Sequence, residues 1–303
     1  MRQTKIAIIG AGAVGSITAY ALILKDIPAE ILLVDINEQR CKGEVLDLSD
    51  ALGFSYCSKI TKGTLKDTKD AEIIIICAGV PQKPDQSRAE LVHTNKKIVT
   101  SIIKDLKPIP ENQIILMVTN PVDAMTYFVL KESGLPENQV FGSGTFLDTE
   151  RIKGLIAEKL KVQHRSIQMS VLGEHGDSQV PIWSTAQIDG MPILDFQAME
   201  HDDLEYFAQK TKQKAYDIIK YKGATFFGIA ACICRLCEAI VFDQEKIFPV
   251  SAFVKDFDVC LSLPAIIGHG GIKDLTEIVL SEQEKEKLFA SAKKIRGTIE
   301  QAQ

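Results

Sequence analysis

The chain has 303 residues, 46% of them hydrophobic, which is enough for the core of one large domain or two moderate ones. Charged residues make up 25% and the formal net charge is −5, so nothing in the charge balance points to a nucleic acid or an anionic membrane as a partner. The longest apolar runs, such as residues 73–78, are too short to span a bilayer. Composition therefore indicates an ordinary globular protein.

Targeting signals and cysteine usage agree with this interpretation. No apolar signal segment precedes the first predicted strand, so we expect a cytoplasmic protein. Seven cysteines, an odd number in a long chain, do not indicate a disulfide framework. Cys232, Cys234 and Cys237 lie close together, but in an apolar helical stretch without a nearby histidine. We predict that they belong to the core, and we predict no metal site.

The first half of the chain alternates short apolar runs with amphipathic stretches. The runs at 5–9, 31–35, 73–78 and 114–119 are almost continuously apolar, as strands buried on both faces are. Helical patterns lie between and after them, at 13–25, 37–52, 89–106 and 122–131. This alternation predicts an α/β fold with a doubly wound parallel sheet.

The pattern changes after about residue 144. A helix is predicted at 145–160 and a strand at 166–172, which leads into the loop 173–178. Helices at 204–222 and 225–241 are separated by Gly223; strands at 248–254 and 259–267 and a helix from about residue 282 follow. We therefore predict two domains, a sheet domain at 1–143 and an α+β domain at 144–303.

A glycine pattern follows the first predicted strand and opens the first helix. Gly10 permits a tight turn, Gly12 lets a pyrophosphate approach the backbone, and Gly15 lets the helix pack closely on the strand. Asp35 comes at the end of the second strand, where a carboxylate accepts hydrogen bonds from ribose hydroxyls and repels a 2′-phosphate. The pattern predicts a Rossmann-type site for NAD rather than NADP. A glycine turn that binds another ligand is the alternative.

A histidine stands between glycines in the loop 173–178. Such a position is unlike that of a packed core histidine, and a partner can be proposed for it. Asp148 begins the helix that also carries Arg151. A carboxylate against one nitrogen of the His175 ring would fix its tautomer and raise its pKa, so that the other nitrogen could exchange a proton with a carbonyl or hydroxyl oxygen.

These motifs together resemble the L-lactate/malate dehydrogenase family over essentially the whole chain. The matching segments occur in the family's order: the Gly10 to Gly15 loop, Ala78-Gly-Val, Arg88, Thr119-Asn-Pro-Val-Asp123, Gly142-Ser-Gly-Thr-x-Leu-Asp-x-x-Arg151, Gly173-Glu-His-Gly-Asp-Ser178, Lys222-Gly-Ala-Thr225 and Leu261-Ser-Leu-Pro264. Any one of them is weak evidence, and the ordered set is specific.

The resemblance implies reversible hydride transfer between NADH and a small 2-oxo acid. It makes His175 the proton donor and acceptor, oriented by Asp148, and Arg151 the group that holds the substrate carboxylate. Arg88, at the end of a mobile loop, would polarise the substrate carbonyl. Asn120 would contact both substrate and cofactor, and in the family its bond to Pro121 is often cis. Further cofactor contacts are implied at Val14, Arg40, Gly79, Val118, Asn120 and Ser143.

Gln82 favours pyruvate over oxaloacetate within this family. Malate-specific members carry an arginine at the matching position, which pairs with the second carboxylate of oxaloacetate. Gln82 offers no charge, so oxaloacetate would leave a carboxylate buried and unpaired. Thr225 also resembles the small wall of a lactate pocket. A malate or broader 2-hydroxy-acid dehydrogenase remains the first alternative, and an NAD-binding protein without turnover the second.

Regulation and assembly are also implied by the resemblance. Many bacterial members are activated by fructose 1,6-bisphosphate through an arginine and a histidine, at positions that here hold Lys153 and Gln168. Because glutamine cannot supply a positive charge, we predict weak or absent activation. The family implies a homotetramer, or at least a dimer.

Overall fold

The computed structural model describes residues 4–55, 58–80, 88–196 and 199–302. The strands in this part are β1 Thr4–Ile9, β2 Ala29–Val34, β3 Lys59–Lys62, β4 Ile73–Ile76, β5 Ile114–Met117, β6 Val140–Gly142, β7 Ile167–Gln168, β8 Val171–Leu172, β9 Val180–Pro181, β10 Gln187–Ile188, β11 Met191–Pro192, β12 Lys246–Val254, β13 Val259–Gly268 and β14 Gly271–Leu275. The α-helices are α1 Ala13–Leu24, α2 Glu38–Asp50, α3 Arg88–Leu106, α4 Val122–Ser133, α5 Phe146–Leu160, α6 His201–Lys222, α7 Phe227–Val241 and α8 Glu282–Glu300.

Six parallel strands form the first part of the main sheet, in the order β6-β5-β4-β1-β2-β3. The chain starts in the middle of this sheet and winds outward in both directions, which confirms the predicted doubly wound architecture. Side chains of β1 alternate between two core clusters. Ile6 and Ile8 pack on one face of the sheet with residues of α1 and α7, and Ala7 and Ile9 pack on the other with residues of α3 and α4.

The antiparallel strands β12, β13 and β14 extend the same sheet beyond β6. The connection is made where Ser251 of β12 pairs with Gly142 of β6. The predicted domain boundary at 143/144 falls directly after this point, in the segment that leads to α5, and it stays a prediction. The junction matters for function because it brings β12 and β13 alongside the carboxyl end of the parallel sheet.

The single strand predicted at 166–172 is wrong. The chain forms two short strands that belong to different sheets: β7 pairs with β10, and β8 pairs with β9. Met169 and Ser170 separate them, and the Ser170 carbonyl accepts a hydrogen bond from the backbone of Ile182. The apolar segment contains two short consecutive strands, and each pairs with a different strand later in the chain.

Helices α6 and α7 are interrupted as predicted, at Gly223, which ends α6 in the left-handed conformation (φ +86°). Within the described residues, no single helix has the length and apolar character needed to cross a membrane; α6 and α7 together meet the test by length and composition alone, and they bend by 120° at their junction. Cys232, Cys234 and Cys237 on α7 are buried in the core, as predicted.

Candidate active site

The glycine loop between β1 and α1 is shaped by close backbone packing. Gly10 has a φ of +107°, and a Cβ there would lie 2.8 Å from the backbone nitrogen of Ala78. A Cβ on Gly15 would lie 1.9 Å from the carbonyl oxygen of Gly10. Side chains are therefore excluded at both positions by the protein itself, independently of any ligand.

Gly12 is different, because a Cβ there would meet no protein atom within 4 Å. It is the N-cap of α1 and has no side-chain capping bond, so the first amides of the helix face outward with a partial positive charge. Asp35 is held beside this loop: its carboxylate accepts hydrogen bonds from the backbone of Ala11 (2.7 Å) and of Asn37 (2.8 Å). Open backbone, a helix N-terminus and an anchored carboxylate fit a dinucleotide.

The other predicted cofactor residues follow the carboxyl ends of neighbouring strands, the edge at which open α/β sheets bind ligands. Gly79 comes after β4, packed so closely that a Cβ would lie 2.4 Å from Thr119. Val118 comes after β5 and is half-buried, as is Val14 at the start of α1. Ser143 comes after β6 and is buried, with its amide donating to Met117 (2.9 Å).

Arg40, in the first turn of α2, lies close to Asp35 in the sequence. Its guanidinium is half exposed and lies 3.6 Å from the carboxylate of Glu44. It is therefore a surface cation on the element that follows Asp35.

The loop after β8 brings His175 against α5. Its Nδ1 lies 2.5 Å from Oδ2 of Asp148, which is the contact expected from the sequence. The other oxygen of Asp148 accepts a hydrogen bond of 3.1 Å from the guanidinium of Arg151, one turn further along α5. Asp148 and Arg151 are buried, whereas 24% of the His175 side chain is exposed. One carboxylate thus orients both the imidazole and the guanidinium.

The charges in this group favour a protonated imidazole. Burial alone would lower the pKa of His175, but the Asp148 carboxylate more than offsets burial, and the net effect is a raised pKa. For Asp148 burial acts in the opposite direction; the attraction of His175 and Arg151 exceeds it, and the pKa of Asp148 is lowered. The pair is therefore arranged to hold a proton on the imidazole while the aspartate stays ionised.

Arg151 and Thr225 line one pocket between α5, α6 and α7, with a volume of about 280 Å³. Its other walls include the apolar Leu147 and Phe226, the basic Lys214 and Lys222, and the acidic Glu150. A small organic anion would fit a space of this size and charge.

Asn120 is exposed at the cis peptide bond that joins it to Pro121. Its carbonyl accepts a hydrogen bond of 2.8 Å from the side chain of Asn95, a buried residue of α3. Gln82 and the side chain of Arg88 lie outside the described residues, so their predicted roles stay predictions.

Asp123 was missed as a functional candidate by the sequence analysis. It lies in the first turn of α4 and is 3% exposed, and its carboxylate accepts the backbone N–H of His175 (2.8 Å) and the hydroxyl of Ser251 (2.6 Å). The motif from Thr119 to Asp123 contained it. Its partners lie 52 and 128 residues away, however, so sequence spacing gave no sign of its contacts.

Residues 4–142 match the model of the lactate/malate dehydrogenase NAD binding domain, and residues 145–303 match that of the family's alpha/beta C-terminal domain. An L-lactate dehydrogenase of Lacticaseibacillus casei is 40% identical over 306 residues, 98% of this chain and 94% of that protein. L-lactate dehydrogenase A of Rhizopus oryzae is 39% identical over 295 residues, 97% and 92% of the two chains.

Solved structures agree. A lactate dehydrogenase enzyme from a Medee basin deep-sea metagenome library superposes with a TM-score of 0.95 at 34% identity, covering 100% of this chain and 99% of the other. A minor L-lactate dehydrogenase from Enterococcus mundtii, in a ligand-bound form, gives 0.96 at 35% identity, with 99% of each chain covered. The chain belongs to the lactate/malate dehydrogenase family.

Proposed function

We propose that the protein is an NAD-dependent enzyme that interconverts pyruvate and L-lactate. The observation that carries this proposal is the hydrogen-bonded group of His175, Asp148 and Arg151. It combines a proton donor with a carboxylate-binding cation on one buried acid, as the reduction of a 2-oxo acid requires. The names of the relatives support lactate as the product.

The residues that would hold NAD are those at the carboxyl edge of the parallel sheet. The N-terminus of α1 beside Gly12 would bind the pyrophosphate, and Asp35 the ribose hydroxyls of the adenosine half. Val14, Arg40, Gly79, Val118 and Ser143 would line the rest. When bound, the reduced nicotinamide supplies the hydride.

His175 would act through Nε2. Because Nδ1 is bonded to Asp148, the ring is held in one orientation and Nε2 is the nitrogen left to meet the substrate. The Asp148 carboxylate raises the pKa of the ring, which favours its protonated form. The protonated ring can then donate the Nε2 proton to the carbonyl oxygen of pyruvate and recover it from the hydroxyl of lactate in the reverse direction, a step worth about 10²–10⁴-fold in rate.

Arg151 would bind the pyruvate carboxylate through the guanidinium nitrogens that Asp148 leaves available. Its pocket includes Thr225, whose small side chain would face the substrate methyl group. We also assign Arg88 to polarising the carbonyl, Gln82 to accepting a methyl group in place of a second carboxylate, and Asn120 to a hydrogen bond near the reacting atoms. These three assignments follow from the sequence motifs.

We further propose a cytoplasmic homotetramer. The support for the assembly is what the family resemblance implies. Light scattering of the purified protein gives its mass directly, and a monomer would contradict this proposal.

The central experiment follows NADH oxidation optically with pyruvate or oxaloacetate at matched concentrations. We expect pyruvate to be preferred by several orders of magnitude in kcat/KM, because oxaloacetate leaves a carboxylate without a cation opposite Gln82. Preference for oxaloacetate would instead identify a malate dehydrogenase. Preference for larger 2-oxo acids would indicate a broader 2-hydroxy-acid dehydrogenase.

His175→Ala is the matched control for this experiment. It should abolish turnover with either substrate and leave NADH binding, measured by fluorescence titration, close to that of the parent protein. Turnover that survives the change would contradict the assignment of the proton donor. Absence of turnover in the parent protein, with NADH still bound, would favour a non-catalytic NAD-binding protein.

A further inference from the structure

Asp123 connects α4, the loop after β8 that carries His175 (the catalytic loop), and β12. It is placed at the start of α4, its Oδ2 accepts the backbone N–H of His175, and its Oδ1 accepts the hydroxyl of Ser251 on β12. The carboxylate therefore holds the loop through the residue that carries the imidazole. Asn120 lies three residues before Asp123, just ahead of the N-cap of α4 at Pro121.

The charge of Asp123 is not needed for these two hydrogen bonds. Both donors are neutral, and a side-chain amide could accept from the His175 backbone and donate to the Ser251 hydroxyl. Burial raises the pKa of Asp123 to about 6, so keeping this group ionised at neutral pH opposes folding. A buried carboxylate retained between neutral partners indicates a use for the negative charge itself.

His175 is the cation that this charge faces. The charged groups around the ring come from several elements: Asp148 and Arg151 on α5, Asp123 on α4, and the neighbouring Glu174, which is paired with Lys294 of α8. The charge of Asp148 is shared with Arg151, which acts against a proton on His175, while Asp123 acts in its favour. The thiol of Cys260 on β13 is also near Asp123; its pKa is raised well above its usual value, so it carries no charge.

We propose that Asp123 is a second positioning carboxylate for His175, which anchors the catalytic loop through the His175 amide and whose negative charge helps to keep the imidazole protonated. This inference rests on the proposed function of His175 as the proton donor. Asp148 orients the imidazole through its Nδ1, and Asp123 holds the backbone of the same residue through its amide. In this proposal Asp123 acts on the reaction through His175.

The test replaces the charge and keeps the shape, with Asp123→Asn. Of the two forms of an imidazole, diethyl pyrocarbonate acylates only the neutral one, so the rate of histidine modification against pH gives the midpoint of His175 ionisation without cofactor or substrate. The signal of the other histidines is removed by subtracting a His175→Ala background. We expect the midpoint to move to lower pH by about half a unit to one unit, because the negative charge of Asp123 near the ring is lost.

Glu284→Gln is the matched control. Glu284 is a buried carboxylate on α8 that accepts backbone hydrogen bonds from Trp183 and Ser184, and it acts on a different loop. Neutralising it should leave the His175 midpoint unchanged. If Asp123→Asn does not fold, Asp123→Ser removes the same charge with a smaller hydroxyl side chain, and the same shift is expected.

A folded Asp123 variant with the parent midpoint would overturn the inference, even if its turnover were reduced, since a purely structural role lowers the rate without moving the midpoint. A lower midpoint supports it. The result is separable from the proposed function, because acylation requires no turnover. Failure of the proposed function would appear instead as activity that survives His175→Ala, or as the wrong substrate preference.

Discussion

Asp148 and Asp123 are both buried beside His175, yet their surroundings have opposite effects on their charge. Asp148 lies between two cationic side chains, and its pKa is lowered despite burial. Asp123 has neutral hydrogen-bond donors, and burial raises its pKa to about 6. A pKa that differs between the folded and unfolded states changes the stability of the protein. An ionised acid whose pKa is lowered by folding stabilises the folded state, and an ionised acid whose pKa is raised by folding destabilises it.

Amide variants of the two residues should therefore change stability in opposite directions. At pH 8 we expect Asp123→Asn to raise the free energy of unfolding by about 1–3 kcal/mol, since an ionised group that opposes folding is removed. We expect Asp148→Asn to lower it by about 3 kcal/mol or more, because a buried ion pair is broken. Urea denaturation of the three proteins measures both effects.

The two carboxyl groups should also make stability depend on pH in opposite ways. The raised pKa of Asp123 means that the parent protein loses stability as pH rises from about 4 to about 6, so the advantage of Asp123→Asn should develop over this window. The contribution of Asp148 is present above its usual pKa of 3.8 and is lost as pH falls through its lower folded value. An Asp123→Asn protein that is less stable than the parent at pH 8 would show that its hydrogen bonds outweigh its charge.

At the scale of elements, the glycines in the turn from β1 to α1 have two different roles. Gly10 and Gly15 are required by the packing of the fold, whereas Gly12 leaves space that a ligand can use. We expect Gly15→Ala to destabilise the protein by about 1–3 kcal/mol or more, because its Cβ would overlap the Gly10 carbonyl. Gly12→Ala places a methyl group in open space and should cost about 1 kcal/mol or less, the difference between glycine and alanine at an N-cap. NADH affinity should nevertheless fall about tenfold or more, since the methyl group occupies the approach of the pyrophosphate.

Urea denaturation and fluorescence titration with NADH, applied to both variants, separate the two roles. Gly12→Ala with the parent affinity would show that the pyrophosphate binds elsewhere. Gly15→Ala with the parent stability would show that α1 can shift away from β1 without loss.

Which elements the sequence could predict depended on how they are buried. β4 and β5 consist of four apolar residues each, all buried, and their pattern is unambiguous. β3 was not predicted, because Lys59–Lys62 is an edge strand with one buried residue. β6 has three residues, too few to form a pattern. Their pairing depends on neighbours far away in the sequence, which local periodicity does not reveal.

The same distinction applies to the site. The His175–Asp148 contact was anticipated because both residues lie in dense motifs, a glycine-flanked loop and a helix start that also carries Arg151. Asp123 lay in a motif too, but its importance depends on the place where β12 joins the sheet and brings Ser251 to α4. Contacts that depend on the packing of two halves of the chain cannot be derived from motif spacing.

At the scale of the whole molecule, the region around Lys153 and Gln168, where the family resemblance implies an effector site in activated members, has little positive charge free to bind a phosphate. Lys153 lies 3.1 Å from the carboxylate of Glu150, and Nε2 of His164 lies 3.5 Å from the same carboxylate. Gln168, on β7, is neutral. The Lys153 ammonium and the His164 ring therefore already contact one carboxylate, which a phosphate would have to displace.

We therefore expect fructose 1,6-bisphosphate to change kcat/KM for pyruvate by less than about twofold, because a neutral side chain and a paired lysine give a phosphate little to bind. Titration of the effector in the NADH assay measures this, and light scattering with and without it shows whether assembly responds. The double variant Lys153→Arg with Gln168→His restores the residue types of activated relatives and should gain a response if the surrounding surface is competent. Strong activation of the parent protein at micromolar effector would mean that other cations, such as Arg165, bind the phosphates.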